Sequence, residues 1–384
     1  MNEKKRATLI LIGGGHTHAL LLNKIRQSGF PPCRVILISS TRYTPYSGML
    51  PGVIAGHYTV EQSHIDLKVL AEETACEFIE EKVSALNPDK QQVTTESGEV
   101  LEYDWVSINT GSTQRRTVKA SNAITIKPVE QFLHWLETDT RLAHEPFNLA
   151  IAGAGAAGVE VALALRERFK SNKQLDIHIL VAGQKILSGY SIKVQALMKE
   201  ELERKNIQIH FGFAASTSKD ENVLISTDQE TLKYDQLILA TPAIPVPWLV
   251  ESDLAVNSGG FISINQHLQS TSHSNIFACG DVADFQSPDH DIKGLPKCGV
   301  YAVRQAPTLY SNLKAHLTGE ALQSFQPQPK FLSLLSCADG RAIASRGWLE
   351  TRGRLVWVWK DWLDRQFMAR FPLPKKDAMK YSDT

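Results

Sequence analysis

The residues of this chain best suited to chemistry are glycines that leave room for a ligand and the few charged side chains beside them. Gly153-Ala154-Gly155-Ala156-Ala157-Gly158 is a complete G-x-G-x-x-G, preceded by the apolar run Leu149 to Ala152 and followed by Val159-Glu160-Val161-Ala162. In a strand–turn–helix, the first glycine permits a sharp turn and the second lets the backbone approach a pyrophosphate. The third lets the helix pack close to the strand, and the helix start offers its free N–H groups to the anion. A second turn, Gly13-Gly14-Gly15-His16, follows Leu9-Ile10-Leu11-Ile12, with His18 standing where a third glycine would be. Late in the chain, Ile276-Phe277-Ala278-Cys279 runs into Gly280-Asp281. One glycine turn at the start, one in the middle and a late Gly-Asp predict two dinucleotide sites on one chain.

The side chains near these turns carry the remaining chemistry. Glu160 follows the second turn on an apolar helix, where burial without a partner is costly, so it is either a helix-start carboxylate or a catalytic group. Lys297-Cys298 precedes a helix; a cationic neighbour and a helix start would lower the thiol pKa and make it reactive, whereas the bland reading is a small core residue. His16 and His18 form an H-x-H with no further ligands signalled, so His16 is read as a residue of the phosphate turn and no metal is expected. Neither unit carries the acid that would hold a ribose hydroxyl after its second strand. Ser39 and Ser40, then Arg42, stand there in the first, and Val181, Gly183 and Lys185 in the second. Ser39 or backbone is expected to contact the first ribose. Lys185 either meets a 2′-phosphate, which would favour NADPH, or is solvated.

These residues need elements to hold them. Residues 7–12 predict a buried parallel strand, His16 to Gln27 a helix stopped by Gly29, and Arg34 to Ile38 the next strand. Glu80 to Leu86 reads as a short strand. Gln91 to Val100 and Tyr103 to Asn109 read as a hairpin-like insertion ending in Thr110-Gly111-Ser112. A parallel phrase, Tyr234-Asp235 through Leu239-Ala240-Thr241-Pro242, closes the second unit, whose second strand is Asp176 to Val181, and this argues for internal duplication. Thr41 to Gly52 reads as a surface loop or a cofactor lid. Near the C-terminus, Ala342 to Leu349 and Leu355 to Trp359 read as a hairpin around Thr351-Arg352-Gly353-Arg354, followed by a helix from Lys360 to Phe371. Trp359, Leu363, Phe367 and Phe371 fall at i, i+4 spacing, with Lys360, Asp361, Asp364 and Arg365 on other faces.

The 384 residues are 43% hydrophobic and 21% charged with zero formal net charge, a globular composition with no electrostatic case for nucleic acid. Five scattered cysteines (33, 76, 279, 298 and 337) form no C-x-x-C, which argues for reduced thiols and a cytoplasmic setting. Lys4-Lys5-Arg6 before an apolar run is read as the approach to a first strand rather than a leader.

On these motifs, together with Arg42 to Gly52, Pro296 to Gln305 and Lys360 to Met368, the sequence resembles the two-dinucleotide-binding-domain flavoproteins, FAD-dependent NAD(P)H oxidoreductases. Within them it is similar to type II NADH dehydrogenases, and closer still to the flavoprotein module associated with selenophosphate synthetase. The resemblance implies an α/β fold of two Rossmann-like dinucleotide-binding domains with three-layer sheets, plus a small C-terminal α+β region. Domain bounds are expected at 1–118 and 251–325 for the FAD-binding domain, 119–250 for the NAD(P)H-binding domain and 326–384 for the C-terminal region. It implies FAD contacts from Gly13, Gly15, His16, Thr17, Ser39, Arg42, Val83, Thr110, Gly111, Gly280, Asp281, Lys297 and Gly299, with Asp281 on the ribityl chain. NAD(P)H contacts would come from Gly153, Gly155, Ala156, Gly158, Glu160, Gly183, Lys185 and Thr241. Glu160, Lys297 and Cys298 are the candidate catalytic residues. The expected activity passes hydride from NAD(P)H to flavin and on to a quinone or a small sulfur or selenium acceptor. The alternatives are sulfide:quinone-type chemistry through Cys298 and a non-catalytic FAD-binding redox sensor. The segment 357–371 is either a docked or dimer-forming helix or a contact to the inner face of a membrane.

Overall fold

A computed structural model of the chain describes residues 6–114, 122–214, 216–217, 222–287, 292–328, 330–376 and 379. The domain boundary expected at 118–119 lies outside the described residues. β1 (Thr8–Ile12) is buried along its whole length and apolar from Leu9 on, as suits a parallel strand covered on both faces. It feeds α1 (His16–Ser28), which ends at Gly29, where φ is +72° and the N–H returns to Ile25 O at 2.8 Å. β2 (Arg34–Ser39) and β3 (Glu77–Glu80) extend the sheet on one side of β1, and β4 (Trp105–Ile108) pairs on the other, all parallel. The strand expected over 80–86 is split: 77–80 joins this sheet, while 83–87 opens a three-stranded antiparallel excursion through residue 102.

The second unit repeats this plan. After β5 (Ala123–Thr125) come β6 (Phe147–Ala152), α2 (Ala156–Arg168), β7 (Leu175–Val181), α3 (Ile192–Arg204) and β8 (Ile207–Phe211). A second antiparallel excursion then leads to β9 (Gln236–Leu239). Its parallel sheet has the order β5-β9-β6-β7-β8. The first sheet is completed late by β10 (Ile276–Ala278), giving β10-β4-β1-β2-β3. In each, the central strand carries the glycine turn at its carboxyl end, where ligands bind open α/β sheets. The two units are thus the duplication expected from sequence. Their connectors, 113–114 and 243–244, pair with each other. α4 (Gly299–Thr318) follows Gly280-Asp281 and is tied to α1 by Thr17 Oγ1, which donates to Ala302 O at 2.8 Å.

The C-terminal region departs from the sequence reading. β11 (Ser333–Ser336), β12 (Ala342–Arg346) and β13 (Leu349–Gly353) form an antiparallel sheet whose tight turn is Gly347-Trp348, not 351–354. α5 (Arg354–Met368) begins six residues earlier than Lys360. Leu355-Val356-Trp357-Val358-Trp359 has the β-branched and aromatic content of a strand, but packing overrides that propensity. Its inward face is Val356, Lys360, Asp364, Phe367 and Met368, so the helix is also rotated from the expected phase. The cause is an ion pair: Lys360 Nζ lies 2.7 Å from Asp364 Oδ2 and both side chains are buried. A reading that sends charge outward misplaces such a helix.

Residues 42–52 are neither a free loop nor an exposed lid. Residues 43–45 pair with 64–66, and Met49, Val53 and Ile54 are buried. Lys360 Nζ donates to Gly48 O at 2.6 Å, and Tyr46 stacks on Phe367 with centroids 4.3 Å apart.

Candidate active site

The first glycine turn is held from several sides. Gly13 has φ +92°, and a Cβ there would stand 2.6 Å from Asn109 O. Asn109, at the end of β4, caps α1: its Oδ1 accepts from Thr17 N at 3.1 Å and His18 N at 3.3 Å. Its Nδ2 donates to Cys279 O at 2.7 Å, and its carbonyl accepts from Gly15 N at 3.2 Å. His18, in place of the third glycine, is buried; its ring joins Gly13 O at 2.7 Å and Ser107 Oγ at 2.8 Å. Burial lowers its pKa to about 4, so it is neutral there. Nothing in the sequence marks Asn109 beyond its place before Thr110-Gly111.

Around this turn lie most of the residues expected to hold the flavin cofactor. Gly280 has φ +71° and its N–H donates to Gln305 Oε1 at 2.7 Å. Asp281 accepts from Ser112 Oγ at 3.3 Å and Lys127 Nζ at 3.2 Å. A Cβ added at Gly299 would stand 3.5 Å from Ser47 Oγ and 3.8 Å from His16 Nδ1, so the start of α4 faces the turn. His16 shares a hydrogen bond with Pro45 O at 3.2 Å and meets Tyr46 edge-on; burial lowers its pKa. Thr110 Oγ1 is buried with no hydrogen-bond partner among the described residues, and Gly111 opens on space. Ser39 Oγ donates to Thr41 O, and Arg42 makes a two-point pair with Asp66 at 2.7 and 2.9 Å, so neither head group is free. Val83 is buried at the start of the first antiparallel excursion.

Lys297 and Cys298 are placed differently from their sequence reading. The Lys297 ammonium donates to Ala283 O and sits 4.1 Å over the Phe261 ring, bracing its own segment. Cys298 is the N-cap residue of α4, yet its thiol pKa is raised by burial rather than lowered, so the expected activation is absent. Cys337 is fully buried and its thiol pKa is also shifted upward by burial; all five cysteines are free thiols.

The second turn is more open. Gly153 has φ +124° and backs onto Ala240 O; a Cβ at Gly158 would collide with Gly153 O at 1.9 Å. Gly155 and Gly183 have nothing within 4 Å of an added Cβ. Lys185 is exposed, while Val181 is buried and Thr241 O accepts from Gln114 Nε2 at 3.4 Å. Glu160 accepts from Ser336 N at 2.7 Å, and burial pushes its pKa up to about 7 against the opposing field of Lys360. The sequence places Lys360 and Asp364 on an outer face; they are instead a buried ion pair whose charges act on the half-buried Glu160.

The profile of the pyridine nucleotide-disulphide oxidoreductase family matches residues 7–306. The chain belongs to this family. It is 24% identical over 262 residues to ferroptosis suppressor protein 1 of Taeniopygia guttata, covering 65% of this chain and about two thirds (66%) of that one. It is 24% identical over 345 residues to the NADH dehydrogenase-like protein YutJ of Bacillus subtilis, covering 87% and 90%. A solved NDH2 from Plasmodium falciparum in complex with NADH superposes with a TM-score of 0.79 at 16% identity, covering 95% of this chain and 97% of that one, which shows a shared fold. With the family goes the cofactor pair expected from sequence, FAD with NAD(P)H as co-substrate. The residues present fit such groups. Among the described residues the N–H groups of Gly14 and His16 have no partner at the first turn, Thr110 Oγ1 is an orphan beside it, and Gly155 leaves an open approach at the second.

Proposed function

We propose that this oxidoreductase takes hydride from NAD(P)H at the second turn and delivers electrons to a quinone at a membrane surface. The flavin, when bound, supplies the hydride chemistry; the chain supplies alignment and electrostatics. Gly13, Gly15, His16, Thr110, Gly111, Gly280, Asp281 and the start of α4 at Gly299 would hold FAD. Gly153, Gly155, Ala156 and Gly158 would seat the nicotinamide dinucleotide, with Gly183 and Lys185 at its adenosine end. The observation that carries the reading is the half-buried Glu160 beside the buried Lys360–Asp364 pair, between α2 and α5. It puts an acid with a pKa near 7 beside the second turn, where an acceptor that takes up protons could use it.

The outer face of α5 supports a membrane acceptor. Leu355, Val358, Trp359 and Trp362 form an exposed stripe on it, Trp348 in the β12–β13 turn is 92% exposed, and Arg346 and Arg354 are exposed as well. No described helix is long and apolar enough to cross a membrane. A sulfur or selenium acceptor is the second class to assay, but the raised Cys298 pKa argues against thiolate chemistry.

The test is an anaerobic spectrum of the purified protein before and after NADH, then NADPH. Bleaching of a flavin band is expected, and the faster nucleotide reports whether Lys185 meets a 2′-phosphate. A yellow protein that neither nucleotide reduces would overturn the dehydrogenase reading. Flotation with anionic vesicles is expected to require Trp348 and Trp362, and binding unchanged in Trp348→Ser/Trp362→Ser would overturn the membrane-surface reading.

A further inference from the structure

Lys127 lies between β5 and the helix at 129–138, so it belongs to the second unit, but its ammonium reaches the first. Its Nζ is 3.2 Å from Asp281 Oδ2, and among the described residues no other ion pair joins the two dinucleotide-binding units. The lysine backbone is fixed on both sides. Its N–H donates to Gln114 Oε1 at 3.1 Å, and its carbonyl accepts from Thr125 Oγ1 at 2.7 Å. Gln114 in turn reaches Thr241 O, so the lysine is anchored where the two connectors meet. Asp281 is the more buried partner, and Ser112 Oγ gives it one further hydrogen bond. His16, in the first turn, feels Asp281 and Lys127 with opposite sign, which sets all three in one neighbourhood.

We propose that Lys127 is a cofactor-positioning residue whose ammonium neutralises Asp281 inside the FAD cleft, setting how tightly the cleft holds the anionic dinucleotide and how readily the bound flavin is reduced. The inference rests on the FAD reading of the first unit. A dinucleotide brings a negatively charged pyrophosphate into the cleft, and reduction adds electron density to the flavin. An unpaired, largely buried carboxylate opposes both, because charges there are poorly screened. With Lys127 present the local charge is balanced, and the same pair holds the second unit in register with the first.

The experiment compares full-length wild type with Lys127→Met, Lys127→Arg and the double variant Lys127→Met/Asp281→Asn. It measures the FAD dissociation constant by flavin fluorescence and the flavin midpoint potential against reference dyes. Lys127→Met is expected to weaken FAD at least tenfold and to lower the potential by about 30 mV, the two-electron equivalent of a tenfold change. Lys127→Arg should stay within about threefold of wild type. The double variant should recover most of the potential shift, because no lone carboxylate remains; simple structural damage would not be repaired that way. Lys127→Met with wild-type affinity and potential would overturn the inference while leaving FAD binding intact. Should Lys127→Met fail to fold, a double variant whose potential stays depressed would overturn it. A wild-type protein that takes up no FAD would overturn the FAD reading and this inference together.

Discussion

The two glycine turns sit at the same place in two sheets of the same order, yet they are built differently. At the second glycine, a Cβ on Gly15 would stand 2.3 Å from Asn109 Oδ1, whereas one on Gly155 would meet nothing within 4 Å. At the third position, His18 hydrogen-bonds the carbonyl of Gly13, whereas Gly158 lets the helix press directly against the carbonyl of Gly153. Two residues further on, the helices carry Leu20, packed on the core, and Glu160, paired with Ser336 N. The first turn is clamped into the folded body by Asn109, His18 and Gly280; the second is held mainly by its own glycines. That contrast suits a resident cofactor at the first turn and an exchanging co-substrate at the second.

The largest expected effect comes from the same substitution made in both turns. Gly15→Ala forces Asn109 aside and disturbs the caps on Thr17 and His18, an overpacking cost of about 1–3 kcal/mol with loss of bound FAD. Gly155→Ala adds a methyl to open space, so melting temperature and FAD content should stay at wild-type values while KM for NAD(P)H rises at least tenfold. Equal destabilisation by the two, measured by thermal melting, would erase the proposed distinction between resident and exchanging sites.

His18 sharpens the contrast because only the first turn contains a titratable group. Burial holds its pKa at about 4 against an ordinary 6.5, so the folded state disfavours the protonated ring. A folded pKa below the unfolded one gives stability that is present above pH 6.5 and lost as pH falls toward 4. The shift corresponds to about 3 kcal/mol at most. Denaturant titrations of wild type and His18→Gln should therefore diverge at neutral pH, with wild type more stable, and converge as the pH approaches 4. A gap that does not depend on pH would mean that His18 acts through shape alone.

The sequence made the turns and their strands legible because those signals are local: four apolar residues, then glycines at fixed spacing. The duplication was legible because the same local phrase occurs twice. What joins the turns to the rest was not. Asn109 meets Thr17 across 92 positions, and Lys360 meets Gly48 across 312. Neither pairing leaves a pattern in a single sequence. The C-terminal helix was misplaced for a related reason: its inward face carries Lys360 and Asp364, and only the fold shows that they neutralise each other. Arg42 and Lys297 looked free for a ligand, but Asp66, Phe261 and Ala283 O occupy them.

The smallest expected effect tests the Leu20 and Glu160 positions. A carboxyl raised to about 7 is protonated in the folded protein under conditions where the unfolded chain would ionise it. The folded pKa exceeds the unfolded one, so the group's contribution is fully present below about pH 4.5 and is lost as pH rises through 7. Glu160→Gln keeps an acceptor for Ser336 N and removes the ionisation. Relative to wild type it should gain stability progressively between pH 4.5 and 7, then hold a constant margin. In turnover, wild type should show an inflection near pH 7 in acceptor reduction, and Glu160→Gln should lose it with about a tenfold slower rate, on the order of 1.4 kcal/mol. Anaerobic reduction of the flavin by NADH should change less, because hydride delivery needs no proton from the chain. A variant slowed equally in both half-reactions would place Glu160 in nucleotide binding, as an extension of the second turn, and the acid would then have no separate task on the acceptor side.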